Sequence, residues 1–159
     1  MAITQVKDGF TAEAASTGVQ GMLAGTVVMT LEGALPVDYL SPGDRLLTRS
    51  GMRRLSRIEI SVVRNARLVK ITHDSLGVGK PQDDVTVSAA MGILVRDWRA
   101  KALFGAAQAV IPAARLADGE YIKAEIVAEA RLYTLVFDEP AVIYASGLEL
   151  ACEGATVRA

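Results

Sequence analysis

Three features of this 159-residue chain carry side chains able to do chemistry. His73 stands in Thr72-His73-Asp74-Ser75, which holds a histidine, a carboxylate and a hydroxyl, the residue types of a nucleophilic triad. Neighbours on an extended strand point to alternate faces, so these three are not expected to converge, and His73 reads as a surface histidine. Cys152 lies in Leu150-Ala151-Cys152-Glu153, beyond the last recognisable strand pattern. A reactive thiol needs cationic neighbours or a helix N-terminus. Glu149 and Glu153 flank this one and oppose a thiolate, so Cys152 reads as a structural thiol. The third feature is a run of seven arginines, Arg45, Arg49, Arg53, Arg54, Arg57, Arg64 and Arg67. Such a run suits phosphate or nucleic acid. No aromatic residue lies among them to stack on bases, so a solvated strand face, or pairing with acids such as Asp83-Asp84, is expected instead. Gly77-Val78-Gly79 is too short for a dinucleotide loop, and no helix pattern follows it to receive a phosphate.

Composition narrows the chemistry further. Seventeen Lys and Arg against eighteen Asp and Glu give a net charge of -1, which removes any global case for nucleic acid or an anionic membrane. One cysteine forbids an intramolecular disulfide and a cysteine-rich zinc site, and one histidine forbids any mechanism that needs two. No metal or other cofactor is expected. Hydrophobic residues at 51% and charged residues at 22% are ordinary for a globular protein of single-domain size. The N-terminus has no basic start followed by an apolar core, and the apolar run around Leu132 to Val136 is far below the ~20 residues of a membrane span. A cytoplasmic protein is the expectation, and leaderless export would leave no trace.

The elements that must position these groups read as short strands. Residues 1–19 are polar and read as an arm or linker, with one helical turn over residues 11–15. Thr26-Val27-Val28-Met29-Thr30 is β-branched and bounded by glycines. Pro36 suits a strand edge. Ser41-Pro42-Gly43-Asp44 is a turn, because Pro presets φ, Gly permits positive φ and Asp bonds its own backbone. Arg45 to Thr48 is a strand. Ile58, Ile60 and Val62 alternate with Glu59 and Ser61, so residues 54–72 are extended. Val85-Thr86-Val87, Ile93-Leu94-Val95 and residues 109–112 are further strands, and residues 124–137 form the longest strand-like run. Asp97 caps a short helix from Trp98 to Phe104 that Gly105 ends, with Trp98 expected to bury against the sheet. Many short strands, frequent turns and almost no helical periodicity indicate an all-β fold.

Three blocks then carry a family likeness. The first is Gly25-Thr26, Gly33, Pro36-Val37, Leu40, Pro42-Gly43-Asp44, Leu47-Thr48-Arg49 and Gly51. The second runs from Leu76-Gly77 through Asp84, Val87-Ser88 and Leu94 to Ala100, to Leu103-Phe104-Gly105 and Ile111-Pro112-Ala113. The third is Leu135-Val136-Phe137-Asp138 with Val142 to Gly147. In order and spacing they resemble the Hint domain, the Hedgehog/intein autoprocessing fold, in its short bacterial form. The resemblance implies a flattened β horseshoe with pseudo-two-fold symmetry and at most one short helix. It places the domain at residues 20–152, between the arm and a tail at 153–159.

Active members of that family attack the peptide bond before their first residue with a Cys or Ser side chain, assisted by a downstream histidine. Here the resemblance puts Gly21 at the nucleophile position, with Met22 one residue away. Ser88 fits the hydroxyl position of the assisting motif, and Met91 stands where the histidine would be. Thr134 and Pro140 replace histidines flanking the Phe137-Asp138 pair. Gly21, Ser88, Met91, Thr134 and Pro140 are thus the positions of a degenerate former site. The expectation is a catalytically inactive Hint-like module with a peptide or protein in the former groove, and neither nucleic acid nor membrane as partner. The alternatives are self-processing near Gln20-Gly21 through a shifted nucleophile (Ser16, Thr17 or Cys152), and a nucleic-acid binder using the arginines.

Overall fold

The structure, a computed structural model, describes residues 18–154 in full and the backbone of residues 2–6 and 11–14. The arm expected at residues 1–19 holds two strands, β1 (Ala2–Val6) and β2 (Thr11–Ala14). They form an antiparallel pair, and β1 adds to a central strand, so the helical turn expected at residue 11 is a strand instead. The polar composition misled because backbone pairing to a neighbouring strand needs no apolar side chains. Ser16 and Thr17 lie outside the described residues.

β3 (Val27–Thr30), β4 (Gly33–Pro36), a 3-10 turn (Val37–Tyr39) and β5 (Arg45–Thr48) follow the turns read from Gly33 and Pro42-Gly43-Asp44. Thr48 closes the next turn by donating its hydroxyl to the Gly51 carbonyl at 2.6 Å, with Gly51 at φ +98°, which favours glycine. Beyond it β6 runs unbroken over Gly51–Ile71. β7 (Val85–Ser88), β8 (Gly92–Val95), α1 (Trp98–Phe104), β9 (Ala109–Pro112), α2 (Ala113–Leu116), β10 (Ile122–Phe137), β11 (Ala141–Ala145) and β12 (Leu148–Cys152) are the further elements among the described residues. α1 has the expected ends: an Asp97 oxygen accepts from the Arg99 N–H at 2.9 Å, and Gly105 is left-handed. The single helical turn of α2 and the 3-10 turn add to the one short helix expected.

All twelve strands join one sheet, in the order β2-β1-β6-β5-β3-β11-β12-β8-β9, with β10 and β7 also on β6 and β4 on β3. Its spine is the β6–β10 ribbon, paired from Ile71↔Ile122 to Leu55↔Phe137. The alternation on β6 changes sides midway. Ile58 and Ile60 are buried as expected, but Ser61 and Val63 are buried next and Val62 is only half-buried. The ribbon passes there from the main core to a smaller cluster of Val63, Ala66, Leu68, Ala130 and Leu132.

Candidate functional site

Residues 20–22 thread between β7 and β10. Met22 bridges to Val87 on one side and Tyr133 on the other, and exchanges backbone bonds with Tyr133 at 3.0 and 2.8 Å. The peptide link between Gln20 and Gly21 is held at both ends by side chains. The Gly21 N–H donates to the Ser88 hydroxyl at 3.0 Å in a buried bond. The Thr134 hydroxyl donates to the Gln20 carbonyl in a short bond. The Ser88 N–H returns to the Gly21 carbonyl at 2.9 Å, so Ser88 grips Gly21 from both sides.

The cradle is closed around a glycine. A Cβ at Gly21 would lie 3.0 Å from the Tyr133 carbonyl oxygen, 3.1 Å from the Leu132 Cβ and 3.2 Å from the Thr134 hydroxyl. Met91, held by bonds from its N–H to the Ser88 carbonyl and from the Ala113 N–H to its own carbonyl, is 2% exposed and fills one wall. The space left among Gln20, Gly21, Met91, Thr134 and Cys152 is about 10 Å³, at the lower limit for one water. Of the five positions singled out from sequence, Gly21, Ser88, Met91 and Thr134 therefore come together. Pro140 does not join them. It is exposed on the rim of an adjacent open hollow of about 300 Å³, shared with Gln20, Val110, Pro112 and Cys152.

Cys152, one of the shifted nucleophiles weighed from sequence, does border the cradle. It ends β12 rather than following the last strand, and β11 and β8 on either side of β12 carry it to the cradle. Burial, reinforced by the negative charge of Glu153, pushes its thiol up to about 12, and its Sγ donates to the Leu150 carbonyl at 3.9 Å. Glu149 turns away to accept from Arg96 at 2.5 Å and Arg49 at 3.3 Å. Those arginines, out of sight in the local sequence, let a glutamate sit buried in β12.

The remaining sequence candidates lie apart from the cradle. His73 and Asp74 do meet, at 3.1 Å, because this stretch is a turn with Asp74 at φ +61° and not an extended strand. The other ring nitrogen lies 3.4 Å from the Pro81 carbonyl, so neither nitrogen bonds the Ser75 hydroxyl. Arg49 pairs with Glu149 and Arg57 with Glu59. The expected acidic partner, Asp84, pairs with Lys70 instead, at 3.7 Å. Trp98 is 70% exposed, contrary to its expected burial. α1 is under two turns long and buries only Ala100, which leaves the indole outside under the Arg99 guanidinium. Among the described residues no three His, Cys, Asp or Glu side chains cluster to hold a metal. No helix there is long and apolar enough to cross a membrane.

The arrangement can hold an extended backbone and polarise one carbonyl. Gly21 brings no nucleophile, and the Met91 thioether has no proton to transfer. No curated protein matches the chain in sequence. Among solved structures it is similar to the solution structure of a bacterial intein-like domain from Clostridium thermocellum, at 15% identity and TM-score 0.59 over 85% of this chain and 99% of that one. It is also similar to the gp41-1 intein, at 14% identity and TM-score 0.57 over 83% and 98% of the two chains. The MchDnaB-1 intein gives 16% and 0.53 over 85% and 100%. At such identities the likeness is one of fold. The family model for the Hint domain matches residues 21–156, and on that match and this architecture the chain belongs to the Hint domain family.

Proposed function

We propose that this Hint domain does not process itself and works as a binding or structural module. The observation that carries this reading is the closure of the cradle around Gly21. A nucleophile there needs a Cβ, and the Cβ would stand 3.0 Å from a backbone oxygen that β-pairing holds in place. Acyl transfer without a nucleophile or a proton-transfer group lacks its main catalytic terms. The bonds that Ser88 and Thr134 make to the Gln20–Gly21 link then serve to anchor the chain entering the domain.

A second reading has one observation in its favour: Cys152 borders the same small space as Gln20. Burial, which pushes its thiol up to about 12, leaves little thiolate near neutral pH and makes Cys152 a poor nucleophile. Intact mass separates the two readings. Purified protein followed over days, with and without a strong thiol or hydroxylamine, is expected to stay at 16.8 kDa. A species cut at Gln20-Gly21 that disappears in Cys152→Ala would overturn the proposal in favour of the second reading.

A further inference from the structure

The outward rows of β3, β5 and β6 carry a surface that folding does not use. Thr30 and Leu46 pair across β3 and β5 with both side chains buried, so their neighbours Met29, Leu31, Arg45 and Leu47 turn to solvent. Across β5 and β6, Leu47 faces Met52 and Arg45 faces Arg54. Met29, Leu47 and Met52 thus form an apolar row over three strands. Leu31, tied to Arg45 by a 2.9 Å backbone bond, leads the adjoining row of Arg45 and Arg54. All six are exposed, Leu31 by 60%.

Two properties set this face apart from an ordinary wet surface. The apolar row is contiguous and contains two methionines, whose flexible thioethers adapt to varied partners. Arg45 and Arg54 stand directly opposite each other, an arrangement that destabilises a sheet. Among the described residues neither forms an ion pair, and Arg53 beside them bonds only its neighbour's carbonyl. Four other arginines are matched, Arg49 and Arg96 to Glu149, Arg57 to Glu59 and Arg99 to Asp97, so what marks Arg45 and Arg54 is their direct opposition across the sheet.

We propose that this face docks an acidic, apolar-rich segment of another protein. Its carboxylates neutralise the opposed Arg45 and Arg54, where fork-to-carboxylate bonding is available, and its aliphatic side chains cover Met29, Leu47 and Met52. The surface involves none of the cradle residues, so it stands whether or not the chain processes itself.

The test uses the full chain and three labelled probes: a short peptide alternating glutamate and leucine, its lysine–leucine counterpart, and oligoglutamate. The glutamate–leucine peptide is expected to bind saturably, at least about tenfold tighter than the other two, with backbone NMR shifts confined to β3, β5 and β6. The double variant Arg45→Glu/Arg54→Glu keeps like charges opposed, so its melting temperature stays put while it loses the acidic peptide and takes the lysine one. Leu47→Ser/Met52→Ser, with both arginines intact, weakens the acidic peptide about tenfold. Several results would overturn the proposal. Equal binding of oligoglutamate would mean a bare polyanion site, and preferential binding to anionic lipid vesicles a membrane surface. A dimer abolished by the arginine variant would mean that a second copy covers the face. Shifts outside these strands would place the peptide elsewhere.

Discussion

The cradle at Gly21 and the outward face of β3, β5 and β6 treat polar groups in opposite ways. In the cradle the Ser88 and Thr134 hydroxyls are turned onto the chain's own backbone, and the remaining space is about that of one water. On the sheet face, arginines stand opposed without a carboxylate, beside apolar side chains left in solvent. One region has been closed by packing. The other keeps an uncompensated charge pair where a substitution of either arginine would relieve it. The contrast teaches that the cradle suggested by family likeness is itself nearly filled, with about 10 Å³ left among its residues. The unspent interaction energy lies elsewhere.

The contrast breaks first if the cradle is soft. Met22 is fully buried between β7 and β10, so Met22→Ala is expected to lower unfolding free energy by about 2–5 kcal/mol. Leu47→Ala on the outer face should shift it by no more than about 0.5 kcal/mol. Urea midpoints for the two variants check both values. Similar midpoints would mean that residues 20–22 are not packed as tightly as the bonding implies.

Gly21→Ala comes next. Its added methyl meets the Tyr133 carbonyl and the Leu132 side chain, and overpacking of this kind costs about 1–3 kcal/mol. A neutral result would show that the cradle has slack for a side chain, and it would remove the observation on which the non-processing reading rests.

Much of this was legible in the sequence where the signal is local. The Asp97 cap and the Gly105 stop define α1 from its ends, and β-branched runs between turn residues give β3, β7, β8 and most of β10. What failed depended on distant partners. β12 was hidden because Glu149 interrupts its apolar pattern, and only Arg49 and Arg96, far away in sequence, explain a glutamate there. Trp98 looked like a core anchor because aromatic residues usually bury, but a helix this short turns just one small residue inward. His73 and Asp74 meet because a left-handed residue bends the chain, which strand alternation does not anticipate. At the cradle, the family resemblance placed four of its five positions together, while the entry of Cys152 needed the sheet order.

Cys152 supplies a pH signature of that closure. Burial first, then the Glu153 charge, raise its folded pKa from 9.0 to about 12. The unfolded chain therefore loses this proton before the folded one does. The stabilisation is fully present below about pH 9 and is lost as pH rises through the folded value, with a slope of about 1.4 kcal/mol per pH unit in between. Unfolding free energies from pH 8 to 10.5 should fall more steeply in the natural chain than in Cys152→Ala. Parallel curves would mean that the thiol is wetter than its surroundings suggest.

The smallest expected effect is a gain, and it probes the other side of the comparison. Arg54→Glu converts the opposed Arg45–Arg54 pair into an opposite-charge cross-strand pair, worth about 0.2–1 kcal/mol in a sheet. Both residues are exposed, so neither packing nor burial offsets the change, and the effect should shrink as salt screens the charges. Thermal unfolding at low and high ionic strength is the measurement, with a rise in melting temperature expected at low salt. Arg45→Glu should do the same by symmetry of the pair. If neither variant is stabilised, the two guanidiniums are already spread far enough apart in solvent to ignore each other. The pair would then hold no mutual repulsion for an acidic partner to relieve.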